Sequence, residues 1–212
     1  MKLVSGGLLH SLIYTEDNRL LACGNNLCNQ LGIETKEAQK AFVEVMRDQN
    51  ISQICCHMHG SVILRENGDV LVFGKNRDCQ LGTDTKGENI CQPTLLTNDK
   101  EIRRIHCGGS FLVIEKRNGV FLVLGKLTGL LSEVWLIEKP KRIEIGEKVK
   151  QIACGSDFIL FLKQNGDLWF VIFNLFSLFH LKIFPFFFKK VLMGAMTLGK
   201  FKTFLFSFLL NF

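Results

Sequence analysis

Four stretches of this chain align on one another: "SGGLLHSLIYTEDNRLLACGNNLCNQLG" from Ser5, "CCHMHGSVILRENGDVLVFGKNRDCQLG" from Cys55, "HCGGSFLVIEKRNGVFLVLGKLTGLL" from His106 and "ACGSDFILFLKQNGDLWFVIFN" from Ala153. The steps between their starts are 50, 51 and 47 residues. A period of this length limits the fold more than any other feature. A unit of some fifty residues cannot bury its own apolar face, so the copies must stack on one another.

Each copy has the same grammar. An apolar run ends in a small-residue corner, a second run follows, a tight turn reverses it, and a third run ends in glycine. The runs, such as "VLVFG" and "VFLVLG", are short, β-branched or aromatic, and bounded by turn residues, which predicts strands. Asn67-Gly68, Asn118-Gly119 and Asn165-Gly166 mark the turn. This dipeptide predicts a two-residue hairpin with positive φ at both central positions. Asp17-Asn18 fills the place in the first copy, where Asn tolerates the left-handed region.

The segment "ICCHMHG", Ile54 to Gly60, looks alone like half a zinc site, with Cys55, His57 and His59 as local ligands. The repeat explains it otherwise. Cys56 stands in register with Cys107 and Cys154, and His57 with Gly7, Gly108 and Gly155. Zinc wants four converging ligands, and the sequence offers no second Cys-x-x-Cys or His-x-x-x-His pair nearby. The expectation is a repeat corner, with no metal and no cofactor.

The pattern Cys-Gly-x-x-His-Ser, then Asn-Gly-Asp-Val, then Gly-x-Asn-x-x-x-Gln-Leu-Gly resembles the regulator of chromosome condensation repeat, from Val4 to about Asp167. The resemblance implies an all-β fold, a β-propeller with one four-stranded blade per repeat and usually seven blades. Here there would be a partial propeller of three to four blades, near residues 4–50, 51–101, 102–149 and 150–167 onward. The repeat-defining positions are Gly7, His10, Gly24, Asn26, Gln30 and Gly32 in the first copy. They are Cys56, Gly68, Gly74, Asn76, Gln80 and Gly82 in the second, Cys107, Gly108, Gly119 and Gly125 in the third, and Cys154, Gly155 and Gly166 in the fourth. The family's corner histidine is present only as His10. Gly60, Phe111 and Phe158 replace it, which predicts a lost corner hydrogen bond and looser or repacked blades. Asn29 and Cys79 stand where the family prefers glycine in the Gln-Leu-Gly loop; Asn accepts positive φ more readily than Cys.

From Leu168 the composition changes. All 20 acidic residues lie at or before Asp167, whereas 13 of the 19 phenylalanines and five lysines follow it, so the formal charge of +6 belongs mostly to the tail. Residues 168–212 read as non-blade sequence, of the kind an AT-rich out-of-frame or intronic stretch encodes. A membrane-associated tail is the next reading, and a divergent propeller continuation, with Asn174 in the register of Asn76, the third. Leu168 to Leu181 is uncharged but shorter than a spanning helix, and Lys182 and Pro185 interrupt it. The nearly neutral body gives no strong nucleic-acid signal. Scattered cysteines, and a start without a secretory signal, predict an intracellular protein, cytoplasmic or nuclear, whose thiols are small buried hydrophobes.

No nucleophile with a base, paired carboxylates or phosphate-binding glycine loop recurs in one place. Asp69 and Asp167 follow turn glycines, and Asp78 and Asp84 flank a loop; all read as solvated. The expectation is a protein–protein interaction module without catalysis of its own, its partner another protein. The resemblance implies two alternatives: guanine-nucleotide exchange on a small GTPase, or a truncated targeting domain of a HECT-type ubiquitin ligase. Open strand edges on an unclosed propeller also predict self-association.

Overall fold

The computed structural model describes residues 1–77, 80–83, 88–128, 134–143, 145, 148–174 and 177–183. Asp78, Cys79, Asp84 and the tail beyond Ile183 lie outside these. The described residues form four antiparallel sheets of four strands each. The first holds β1 (Leu3–Gly6), β2 (His10–Tyr14), β3 (Arg19–Gly24) and β4 (Gln39–Arg47). The second holds β5 (Ile51–His57), β6 (Gly60–Arg65), β7 (Asp69–Gly74) and β8 (Ile90–Asn98). The third holds β9 (Ile102–Cys107), β10 (Phe111–Lys116), β11 (Phe121–Thr128) and β12 (Val134–Ile143). The fourth holds β13 (Val149–Cys154), β14 (Ile159–Lys163), β15 (Leu168–Asn174) and β16 (Ser177–Ile183). Each sheet is a meander in chain order, one blade per repeat.

The first strand of each sheet touches the next: β1 meets β5, β5 meets β9, and β9 meets β13. Blades therefore stack around their first strands, and the core lies between them. Leu12, Tyr14 and Leu20 of the first blade join Val62, Ile63 and Phe73 of the second in one apolar cluster. Phe121 and Phe161 meet edge to face at 5.2 Å between the third and fourth blades. Burial on both faces explains why β6, β7 and β10 are continuous apolar runs rather than alternating ones.

The turns differ from the expected two-residue type. Gly68, Gly119 and Gly166 have positive φ, but Asn67, Asn118 and Asn165 do not. The N–H of Gly68 donates to Arg65 O at 3.0 Å, which closes a type I turn with the glycine in the left-handed position after it. Asparagine serves through its side chain instead. Oδ1 of Asn67, Asn118 and Asn165 accepts the backbone N–H two residues on, at 3.1, 3.1 and 2.9 Å. Asn18, at φ 62°, takes the glycine's place in the first copy.

Pro93 and Pro140 lie on the outermost strands β8 and β12, where a missing N–H breaks no ladder. The chain from Leu168, which departs from the repeat in composition, is paired backbone as far as Ile183: β15 pairs with β14 and β16 with β15. The change at Asp167 is thus not the edge of the fourth sheet. No helix among the described residues is long and apolar enough to cross a membrane.

Candidate functional site

The repeat-defining residues collect in two places, the corner between the first two strands of each blade and the loop after the third. In the corners the N–H of Gly7, Gly108 and Gly155 donates to the carbonyl of His10, Phe111 and Phe158, each at 2.9 Å. The ring of that residue covers the glycine so closely that no Cβ would fit. The second blade reverses the pair. His57 stands at the glycine's position, Gly60 at the ring's, and the His57 imidazole covers Gly60. All four corners therefore hold a ring against a glycine. The second blade's corner is repacked, with the imidazole supplied from the other side of the turn, and the corner hydrogen bond is lost there, since His57 Nδ1 and Nε2 are buried without a partner.

His10 also joins two blades. Ser61 Oγ donates to Gln30 O at 2.8 Å, so it accepts from His10 Nε2 at 3.0 Å, which fixes the Nε2–H tautomer. Burial lowers the pKa of His10 to about 4 and that of the fully enclosed His57 to about 3. Both imidazoles are neutral near pH 7.

The thiols lie along the same inner strands. The N–H of Cys56 donates to Ser5 Oγ of the first blade at 3.0 Å. Burial pushes the Cys56 and Cys154 thiols up to about 12, and raises that of Cys107, which is hydrogen-bonded to Cys55. Among the described residues no three His, Cys, Asp or Glu side chains gather as a metal-ligand group.

The loops after the third strand bind one blade to the next. Asn26 Oδ1 accepts the N–H of Leu31 at 2.8 Å, and its amide donates to Ile33 O and Thr35 O. Asn76 repeats this with Leu81 N–H at 2.9 Å and Thr83 Oγ1 at 2.9 Å. Gln30 accepts from Cys28 N–H and donates to Asn25 Oδ1, at 2.9 and 3.1 Å. Gly32 (φ 73°) lies against the Phe73 ring and Gly82 (φ 70°) against Leu124, each in the following blade. Gly24, Gly74 and Gly125, also at positive φ, pack against the corner backbone of their own blade. Asn29, at φ 61°, takes the left-handed position as its residue type suggested.

The sequence pattern did not single out Gln53. Its amide donates to Ile105 O at 2.6 Å and accepts from Ile105 N–H at 3.0 Å, zipping β5 to β9. Nor did it single out Arg65, whose Nε–Oδ2 distance to Asp48 is 2.5 Å. The recurrence of glutamine at Gln151, one step short of the blade's inner isoleucine, was the available signal for the first.

Models of the regulator of chromosome condensation (RCC1) repeat match residues 2–30 and 67–114. Both segments are divergent RCC1 repeats. These RCC1 repeats are 35% identical to Protein RCC2 homolog of Danio rerio over 109 residues, 50% of this chain and 22% of that protein. They are 36% identical to the secretion-regulating guanine nucleotide exchange factor of Bos taurus over 84 residues, 39% of this chain and 18% of that one. Among solved structures, human WBSCR16 superposes with a TM-score of 0.68 at 21% identity, over 80% of this chain and 47% of that one. Prp20p of Saccharomyces cerevisiae superposes with the same score and identity, over 80% and 43%. The chain spans less than half of either solved structure, and less than a quarter of the two curated relatives.

Proposed function

We propose that this segment of RCC1 repeats is a protein-binding module, and that the loop end of its first blade is the surface it presents. One observation carries this reading. Leu8, Leu9 and Leu27 are 55, 59 and 68% exposed, and the N–H of Asn25 donating to Leu9 O at 2.8 Å holds their two loops together. Clustered exposed leucines mark interaction surfaces. The same corner positions hold Met58 and His59, Gly109 and Ser110, and Ser156 and Asp157 in the other blades, so no other corner carries this leucine pair. The reading places the protein inside the cell, where buried thiols such as Cys56 stay reduced.

A second reading is nucleotide exchange on a small GTPase. The similarity to the Bos taurus guanine nucleotide exchange factor supports it, as does that to Prp20p, a protein that binds Gsp1p and histones. Exchange proceeds by displacing nucleotide and needs no acid–base pair, so the corner chemistry does not decide it. A role as targeting domain of a larger ubiquitin ligase rests on the resemblance alone.

Self-association has its own support. Val4, Ile13 and Leu21 share one face of the first blade. Val4 is 65% exposed, whereas its repeat mate Ile54 is 6% exposed under the first blade.

The test measures binding of the chain to Gsp1p and to histones, together with nucleotide release from Gsp1p. The module reading expects binding that a Leu8→Asp, Leu9→Asp, Leu27→Asp variant loses while staying folded, with release unchanged. Faster release would favour exchange. Binding untouched by the triple change would remove this surface from the reading.

A further inference from the structure

A cavity of about 120 Å³ opens between β9 and β13, where the third blade meets the fourth, lined by Arg103, Arg104, His106, Glu115, Lys150 and Ile152 among others. The repeat explains why this seam is open. Arg104 stands in the register of Gln53, and Ile152 in that of Ile105. One seam earlier, the Gln53 amide closes the gap by donating to Ile105 O and accepting from Ile105 N–H. A guanidinium has five donors and no acceptor, so Arg104 cannot make the second of those bonds to Ile152. Lys150, in the register of Ser52, brings another donor-only group.

The charges around the cavity do not cancel. Glu115 is its carboxylate, and its oxygens go to His106 Nε2 at 3.3 Å and Arg103 Nη1 at 3.7 Å. Arg104 stands across the β9–β10 ladder from Glu115. No ion pair joins Arg104 or Lys150 to a carboxylate among the described residues. The gap therefore gathers three cationic side chains, Arg103, Arg104 and Lys150, against one carboxylate, Glu115, and one amide, Gln151.

We infer that this seam binds a phosphate-class oxyanion, held by the Arg104 guanidinium and the Lys150 ammonium. An oxyanion supplies the acceptors that Gln53 Oε1 provides at the neighbouring seam. Guanidinium and ammonium groups bond such oxygens strongly because the donors are charged. The oxyanion is either free phosphate or the phosphoryl group of a small monoester; both present the same oxygens.

The test is a titration of the full chain with inorganic phosphate at low salt, followed by amide NMR, with glycerol phosphate as a second arm. The expected result is saturable shifts centred on Arg104, Lys150 and Ile152. Arg104→Gln should weaken binding about 10-fold or more, the loss of one charge-assisted bond. That variant should stay folded, because it restores the residue type that seals the preceding seam. Lys150→Gln, at an exposed side chain, gives an independent check with the same direction of effect. Tighter binding of the monoester identifies an esterified phosphoryl group as the ligand, and binding of inorganic phosphate that equals or exceeds it identifies the free ion. Shifts scattered over the basic surface, no saturation, or unchanged affinity in both variants would overturn the inference.

Discussion

His57 covers Gly60 in the second blade just as His10 covers Gly7 in the first, with the two residue types exchanged between the ends of the same turn. The corner thus holds one ring and one glycine from either end of the turn, although His10 bonds Ser61 while the nitrogens of His57 are buried without a partner. A side chain at Gly60 would collide with the imidazole, so Gly60→Ala should cost about 1–3 kcal/mol. His57→Gly alone should cost about 2 kcal/mol through the void it leaves. The double change His57→Gly, Gly60→His rebuilds the arrangement of the first blade and should recover much of the loss. Urea unfolding of the four proteins measures the coupling; additive losses would show that the two residues do not share one slot.

The same burial makes stability depend on pH. His10 and His57 have pKa values of about 4 and about 3 in the folded chain, below the ordinary 6.5 that the unfolded chain retains. Their contribution is complete above pH 6.5 and is lost as pH falls towards 4, because the unfolded chain binds protons that the folded chain refuses. Near pH 5 these two imidazoles should together take up close to two protons on unfolding. His10→Phe copies the residue type of Phe111 and Phe158 and should remove about half of that dependence, measured as the slope of unfolding free energy against pH. It also gives up the bond to Ser61, so its stability at pH 7 should fall by about 1 kcal/mol.

Two glycines with similar φ separate backbone strain from packing. Gly119 (φ 80°) has open space where a Cβ would stand, whereas at Gly32 (φ 73°) a Cβ would lie 2.9 Å from Phe73 Cδ2. Gly119→Ala should cost about 1 kcal/mol for the left-handed backbone alone. Gly32→Ala adds a clash at the seam and should cost about 1–3 kcal/mol more. Thermal unfolding of both variants checks the order; equal losses would mean that the loop does not press on the next blade.

Asn26→Ala and Asn76→Ala test the loops themselves. Each removes the acceptor of a buried N–H, Leu31 or Leu81, and should cost about 1–3 kcal/mol. Amide exchange should quicken at Leu31 or Leu81 in the matching variant and stay unchanged in the other loop.

The repeat was legible because a hairpin unit writes its period into glycines and apolar runs. Gly24 and Gly74 end their third strands at positive φ, and Gly125 has positive φ inside β11. The turn type was not legible: Asn67 signals a turn whether it works through its backbone or its side chain, and here it is the side chain. The loss of the ring at Gly60 looked like a defect because register compares one position at a time, whereas space compares His57 and Gly60 together. Gln53 escaped notice for a related reason, since its partner Ile105 is 52 residues away on another sheet. Composition also set a boundary at Asp167 that hydrogen bonding does not respect, because a phenylalanine-rich strand pairs as well as any other.

The side-by-side stacking of the blades is tested most directly at the amide of Ile105, which belongs to the first strand of the third blade and bonds to Gln53 of the second at 3.0 Å. Hydrogen exchange by NMR should find this N–H protected, with a cross-peak to the Gln53 side-chain amide, and Gln53→Ala should remove the protection. An Ile105 N–H that exchanges like a free strand edge, with no such cross-peak, would contradict the stacked-blade arrangement.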